Sequence, residues 1–392
     1  METFAWIVFF LVVSGVLVYR RSTMLVSSLV ILALVILVSF VSHLGMVGTI
    51  VLWACYAVIF VPLSITPLRR QLLTRHILSN FRKVMPQMSE TEQQALEAGT
   101  VGWTGELFSG APDWQKLLKR EGPTLSEEEH EFLDGPVEEL CRQLNDWTIS
   151  RSMLIPDEIW TFLKKHGFFG MIIPKRYGGK EFSAMGHSQV IAKVSGVCVA
   201  VATSIGVPNS LGPAELLLHY GTDEQREYYL PRLANGEEIP CFALTSPRAG
   251  SDAGSIEDNG VVCEAVFDGK KQLCLRLNWN KRYITLAPIA TLIGLAFKMY
   301  DPDKLLGGDK DLGITCALVP ANTKNVVTGR RHYPLDSAFP NGPTQGKDVI
   351  IPLDYIIGGV KMTGQGWRML MECLAVGRSI SLPSIISGGS KR

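Results

Sequence analysis

The chain has 392 residues, a formal net charge of +1 and 47% hydrophobic residues. That length holds two or three domains with ample core, and the near-neutral balance, without a long basic stripe interleaved with aromatics, gives no sign of a nucleic-acid partner. The 8 cysteines are scattered without a C-x-x-C pair and the 7 histidines form no H-E-x-x-H pattern, so core thiols in a reducing compartment are expected and no metal site is assigned.

Three apolar runs come first: Thr3–Tyr19, closed by Arg20-Arg21, then Met24–Ser42, then Val47–Ile65, which is followed by Arg69, Arg70, Arg75, Arg82 and Lys83. Each is roughly 17–19 residues, at the lower limit for crossing the hydrocarbon core as a helix. A cleaved signal peptide is disfavoured because Glu2 precedes the first run and no small-x-small site follows it. Three spans rather than two put both basic clusters on the cytoplasmic side, with a short His43–Met46 turn outside. Leu68–Val84 keeps Leu72, Leu73, Ile77, Leu78 and Phe81 among its bases. A helix lying on an anionic membrane surface and a simple basic linker helix both stay open.

Met88–Pro123 shows no clear period and is expected as a lead-in wrapped on the surface. Ser126 with Glu129 forms a capping-box pattern, and Val137, Leu140, Cys141 and Leu144 then share one helix face. Pro156 opens a second helix with Ile159, Phe162 and Leu163 on one side, ended by Gly167. Ser188–Val201, Leu211–Tyr220 and Thr222–Leu233 read as further helices. Around Pro240 the period changes to short β-branched or alternating runs: Val261–Phe267, an Asp268-Gly269 turn, Leu273–Trp279 and Ile314–Val319. After Gly358-Gly359 and Gly364-Gln365-Gly366 a helix begins at Trp367 and runs through Leu374, with Arg378 following it.

The expected class is α+β: N-terminal transmembrane helices, a helical domain, a middle β-barrel-like or sandwich domain, and a C-terminal helix, which the resemblance given below makes the start of a truncated C-terminal helical domain. The expected boundaries are 1–67 for the membrane anchor, 68–124 for the basic linker and lead-in, 125–239 for the helical domain, 240–360 for the β domain and 361–392 for the incomplete start of the C-terminal helical domain.

No G-x-S-x-G, no Walker loop and no G-x-G-x-x-G after a strand is present, and no nucleophile–base pair stands out. The chemistry is therefore expected from a bound cofactor. Two segments suit one. Cys241–Ser255 starts as an apolar strand, turns at Thr245, Ser246 and Pro247, and continues with small residues, Ala249, Gly250, Ser251 and Gly254, that let backbone N–H groups approach an anion. Lys281-Arg282-Tyr283-Ile284-Thr285 sets a ring and a hydroxyl two apart, hence on one strand face. Taken singly, a turn-starting Thr245 and a core Tyr283 are the plainer readings; the ordered set favours a site.

These segments, with Gly167-Phe168-Phe169-Gly170-Met171-Ile172-Ile173-Pro174, Gly206-Val207-Pro208-Asn209-Ser210-Leu211-Gly212-Pro213, Tyr220-Gly221-Thr222-Asp223-Glu224-Gln225, Tyr229-Leu230-Pro231-Arg232-Leu233 and Gly366-Trp367, resemble the acyl-CoA dehydrogenase family, specifically its long-chain bacterial branch with a membrane-anchored N-terminus. The likeness runs from about Pro112 to about Arg378. Ser246 stands where many members carry Glu.

The resemblance implies FAD held by the β domain. Phe242 through Ser251 would be the first segment, with Leu244 and Thr245 at the flavin ring and Gly250 and Ser251 near the pyrophosphate and the CoA portion of the substrate. Tyr283, Ile284 and Thr285 would be the second: Tyr283 beside the ring, where Trp is more frequent, and Thr285 donating towards N5. Arg378 resembles the arginine near the CoA nucleotide, a role its forked charge suits; a solvated helix-end arginine is the alternative. The family's general-base Glu stands either in the C-terminal domain or immediately before that arginine. Here the second position is Gly377, and Glu372 is expected to be solvated on another helix face. No catalytic residue is named; the base is expected in a C-terminal domain missing from this chain, which alone should be nearly inactive.

The implied function is an FAD-dependent acyl-CoA dehydrogenase of fatty-acid β-oxidation, converting a saturated acyl-CoA to the trans-2-enoyl-CoA. It would be tethered to the cytoplasmic face of a bacterial inner membrane and pass electrons to an electron-transferring flavoprotein or a membrane acceptor, and a homo-oligomer is among the expectations. Two alternatives stay open: a non-catalytic, membrane-anchored protein that binds acyl-CoA, flavin or a partner, and a flavin acyl-CoA oxidase.

Overall fold

A computed structural model describes residues 2–42, 45–85, 88–99 and 102–391, and the chain divides into two units, Met1–Met88 and Ser89–Arg392.

In the first unit the helices Glu2–Tyr19, Met24–Val41 and Met46–Ser64 are followed by a helical stretch from Thr66 to Val84 with a π-turn at Arg70–Thr74. Ser28, Ile31, Val35 and Val38 are the buried side chains of the second helix; their 3-4-3 spacing makes a seam that faces the third. Polar contacts cross it: Ser28 Oγ and Tyr56 OH lie 2.9 Å apart, Tyr56 OH lies 3.3 Å from the Ser28 carbonyl, and Trp53 Nε1 donates to Ser39 Oγ at 3.1 Å. The outward faces remain exposed and apolar, with Leu25, Phe40, Val47 and Val58 among them. Met24–Val41 and Met46–Ser64 are long and apolar enough to cross a membrane, whereas the apolar stretch Phe4–Tyr19 is shorter. Of the expected His43–Met46 turn, His43 and Leu44 lie outside the described residues.

The second unit begins with more order than its sequence suggests. Ser89 and Glu92 form a capping box that starts the helix Glu90–Ala98, and Trp103–Ser109 and Trp114–Leu118 add two short turns of helix. Ser89 and Asp113 cap the first and last of these, so the lead-in that showed no hydrophobic period carries short helices. Ser126 caps the next helix as anticipated, with Glu129 closing the box. Gly167 ends the helix Asp157–Lys165 in the left-handed region at φ 71°. The single helix expected over Ser188–Val201 is two, Ala184–Ser195 and Val199–Ser210, because Cys198 is extended at φ −146° and ψ 107°.

The helical chain from Gly366 to Gly389 is also apolar and long enough to span a bilayer, yet it is a core element. Its Gly377, Ser381, Ser384 and Gly388 are buried and let two backbones approach. A Cβ at Gly377 would sit 2.2 Å from the Ser210 carbonyl oxygen, and one at Gly388 would sit 2.1 Å from that of Ala192. Ser195 Oγ donates to the Ile385 carbonyl at 2.6 Å, and Ser188 and Ser384 hydroxyls meet at 2.8 Å. Arg378 therefore lies inside this helix rather than after it, correcting the sequence reading.

Seven strands form one sheet: β1 Pro240–Ala243, β2 Asn259–Phe267, β3 Lys270–Thr285, β4 Leu292–Tyr300, β5 Asp311–Pro320, β6 Val326–Thr328 and β7 Asn341–Pro352. Their order is β1-β4-β2-β3-β7-β6, with β5 also on β4. Asp268 and Gly269, at φ 50° and 78°, make the tight β2–β3 turn. β1 and β2 both run parallel to β4, β1 against Leu292–Leu295 and β2 against Lys298–Tyr300. The chain thus leaves the sheet after Ala243 and returns to it at Asn259. The intervening loop is the one singled out from the sequence.

Candidate functional site

A cavity of about 290 Å³ opens beside that loop, lined from β1 and the loop by Phe242, Leu244, Thr245, Gly250 and Ala253, and from the end of β3 by Tyr283, Ile284 and Thr285. Val207 and Leu211 close one side, and the last helix contributes Leu370, Met371, Leu374, Ala375 and Arg378. Eight of the sequence-selected residues meet here. Ser251 does not: it is exposed and outside the lining.

Each wall has a local cause. Phe242 stands opposite Gly294 in the parallel register, and its ring occupies the space where a Gly294 Cβ would be, 2.6 Å away. Ser246 and Ala249 exchange backbone hydrogen bonds of 3.2 Å, so Pro247-Arg248 is a tight turn. Gly250 follows with open space around its missing Cβ, the kind of bare backbone that admits an anionic group.

β3 does not alternate simply as it reaches the cavity. Between Lys281 and Ile284 the pairing advances three residues on β3 for two on β7, from Thr344 to Gly342, which is a β-bulge. Tyr283 takes φ 59° there, a strained position for an aromatic residue. Its N–H donates to His332 Nδ1 at 3.3 Å and the two rings lie 4.6 Å apart. The expected shared strand face of Tyr283 and Thr285 is thus replaced by a bulge, and both still line the cavity.

Sequence reasoning missed two supports. Asn341, directly opposite Thr285 in the register and 3% exposed, donates through Nδ2 to the Tyr283 carbonyl and to Thr285 Oγ1, each at 3.2 Å. A carbonyl can only accept, so Nδ2 is oriented by it and Thr285 Oγ1 must accept too. The Thr285 hydroxyl proton is then free for an acceptor in the cavity. Asn341 Oδ1 stays buried without a partner, an unfavourable arrangement typically costing about 1–3 kcal/mol. A single Asn in a Gly/Pro-rich stretch gives no period by which to find it.

The second support is a buried ion pair. Lys281 Nζ lies 2.5 Å from Asp258 Oδ2, with side chains 0% and 4% exposed. It also donates to the Leu244 carbonyl at 2.8 Å and to Ser246 Oγ at 3.2 Å. Ser246 Oγ donates in turn to Asp258 Oδ2, and the Asn280 N–H donates to Oδ1 at 2.7 Å. Burial pulls the Lys281 ammonium below its usual range, and the Asp258 carboxylate opposes that shift. The cluster fastens both ends of the excursion, Leu244–Ser246 and Asp258, to β3. The Ser246 hydroxyl fits this small polar pocket; the position does not carry an acid.

Among the cavity-lining residues there is no carboxylate. Glu372 pairs instead with Arg368, Nε to Oε1 at 2.9 Å, and a base at position 377 is excluded sterically by Ser210. Among the described residues no cluster of His, Cys, Asp and Glu could hold a metal. Cys241 and Cys316 are fully buried and their thiols are pushed up to about 12 by that burial, so they are inert core groups.

Known proteins agree with this arrangement. The family model "Acyl-CoA dehydrogenase, N-terminal domain" matches residues 125–237 and "Acyl-CoA dehydrogenase, middle domain" matches residues 241–349. "Probable acyl-CoA dehydrogenase FadE10" of Mycobacterium tuberculosis is 28% identical over 315 residues, 78% of this chain and 46% of that protein. "Protein HemX" of Proteus mirabilis is 60% identical over a shorter 96 residues, 24% of this chain and 56% of that protein. The chain spans about half the length of these curated relatives. The solved structure "PigA with FAD and proline" shares the fold, with a TM-score of 0.58 at 22% identity, covering 69% of this chain and 67% of that one. With both domain models spanning more than half of its length, in the order in which helices and sheet build the cavity, the chain belongs to the acyl-CoA dehydrogenase family.

Proposed function

We propose that this chain carries the flavin and acyl-thioester sites of an FAD-dependent acyl-CoA dehydrogenase held at a membrane by its N-terminal helices. The observation that carries the reading is the convergence of Phe242, Leu244, Thr245, Gly250, Tyr283, Ile284, Thr285 and Arg378 on one cavity. The residues fit FAD: a bare Gly250 backbone for an anionic linkage, an aromatic face at Tyr283, and a Thr285 hydroxyl whose proton is left free by Asn341. When bound, the flavin would supply a two-electron acceptor for the hydride that leaves the β-carbon of an acyl thioester.

The chain's own groups have separate tasks. Thr285 would donate to a ring nitrogen, where negative charge develops. Leu244, Leu370, Met371 and Leu374 exclude water from the reacting centre. Arg378, exposed at the cavity edge, would hold a CoA phosphate. The weakly acidic α-proton needs a positioned carboxylate, and none lines this cavity, so the base must come from a residue outside the lining. Electrons would pass to an electron-transferring flavoprotein or a membrane acceptor. Lipid-facing use of Met24–Val41 and Met46–Ser64 is supported by their length and outward apolar faces; a bacterial inner membrane with the second unit on its cytoplasmic side satisfies the placement of the arginines.

The test is a fluorescence titration of the detergent-solubilised chain with FAD. Saturable quenching of flavin emission that is weakened in Gly250→Leu is expected, whereas quenching indifferent to that change would overturn the site. Acyl-CoA turnover by this chain alone should be absent; turnover would mean that a base has been overlooked, with Glu372 the first to test.

A further inference from the structure

From Thr3 to Ser89 the sequence contains no acidic residue, while Arg20, Arg21, Arg69, Arg70, Arg75, Arg82 and Lys83 all fall within it. The last of these lie on the helix Arg75–Val84, which follows the helix Met46–Ser64 after the short helix Thr66–Arg69 and one π-turn. Ile77, Phe81 and Val84 recur at spacings of four and three and share one face, whereas Arg75, His76, Arg82 and Lys83 fall on the opposite one. The apolar side chains are uncovered: Ile77 is 66% exposed, Phe81 62% and Val84 83%. Among the described residues no salt bridge engages Arg75, Arg82 or Lys83, in contrast to the paired surface charges of the second unit.

We propose that Arg75–Val84 is a second, interfacial membrane contact: the helix lies in the plane of the bilayer, with Ile77, Phe81 and Val84 among the acyl chains and its cations against anionic lipid headgroups. The proposal rests on the reading of Met24–Val41 and Met46–Ser64 as membrane spans. Two features commit it to an anionic lipid surface rather than a protein partner. The helix begins about ten residues after the end of a candidate span, a separation that keeps it within reach of the headgroups. The charged residues on its polar face are all basic, matching the anionic surface potential, to which each Lys or Arg adds roughly a fivefold preference. An exposed helix of this length is marginal in water, so docking also accounts for its folding.

The test uses the full chain in lipid nanodiscs made either of phosphatidylcholine alone or with an added fraction of phosphatidylglycerol, followed by amide hydrogen exchange and mass spectrometry. Exchange over residues 75–84 should slow by about tenfold or more in the anionic discs at low salt. The protection should fall in Arg75→Glu/Arg82→Glu/Lys83→Glu and in Ile77→Ser/Phe81→Ser. If residues 24–41 and 46–64 are protected but 75–84 exchange equally in both discs, the interfacial helix is refuted while the anchor stands. Protection of 75–84 that is indifferent to lipid charge and survives the charge reversal would also refute it, by showing that protein covers the face. If residues 24–41 and 46–64 exchange freely, the spans fail first and the proposal with them.

Discussion

Replacing Lys281 by Met tests the claim that a buried ion pair holds the loop in place. The side chain is fully buried, and it gives up an ion pair of 2.5 Å with Asp258 and bonds of 2.8 Å and 3.2 Å to the Leu244 carbonyl and Ser246 Oγ. Met matches the length of the aliphatic stem, so packing is largely conserved. What remains is an Asp258 carboxylate, 4% exposed on its side chain, with only the Asn280 N–H and the Ser246 hydroxyl to satisfy it. Removing one member of a buried pair costs about 3–5 kcal/mol because the other charge is left uncompensated, a large part of the ~5–15 kcal/mol of a typical domain. Adding Asp258→Asn should recover most of the loss, since a neutral amide needs no counter-charge and can still accept from the Asn280 N–H. The measurement is urea unfolding of the unit Ser89–Arg392, arranged as a double-mutant cycle, with flavin affinity read in parallel because Leu244 and Thr245 line the cavity. A Lys281→Met loss under about 1 kcal/mol, or a double variant as costly as the two single losses added, would refute the argument.

Thr285→Ala and Asn341→Leu should each lower the flavin retained on purification, and together no further than Thr285→Ala alone, since Asn341 acts by orienting that hydroxyl; absorbance near the flavin visible band checks this, and additive losses would disprove the coupling. Gly377→Glu should destabilise by about 1–3 kcal/mol or more without creating a base, because its Cβ would meet the Ser210 carbonyl oxygen at 2.2 Å; a well-folded variant with dehydrogenase activity would contradict it. His187 is buried and its pKa is lowered to about 4 by that burial, against ~6.5 unfolded. The unfolded chain therefore binds a proton that the folded chain refuses, and stability should fall by about 3 kcal/mol as pH drops from 6.5 towards 4; His187→Leu should flatten that limb in unfolding curves measured across the window. The intact chain should remain with membranes after a high-salt wash, because apolar burial is not screened, whereas the unit Ser89–Arg392 should stay in solution; release of the intact chain by salt would reverse the anchor reading.

Local chemistry made much of this protein legible in advance. Ser126 with Glu129, Gly167, and Asp268-Gly269 act through their own backbone and nearest neighbours, so the caps and the hairpin turn follow from sequence alone. The apolar runs at the N-terminus needed only composition and length, and the order of small, hydroxyl and aromatic residues alone singles out Thr245, Gly250, Tyr283 and Thr285. Tertiary structure decided what depends on partners distant in sequence. Two helices long and apolar enough to cross a membrane, Met46–Ser64 and Gly366–Gly389, differ because Gly377 and Gly388 meet the carbonyls of Ser210 and Ala192, contacts that composition does not encode. The bulge at Tyr283 depends on how β3 registers against β7, and period-two alternation is blind to it. Asn341 and Asp258 become supports of the cavity wall only when the sheet brings them against Thr285 and Lys281. Buried polar groups are specified pairwise across the fold, and a single sequence shows each partner only as an isolated residue.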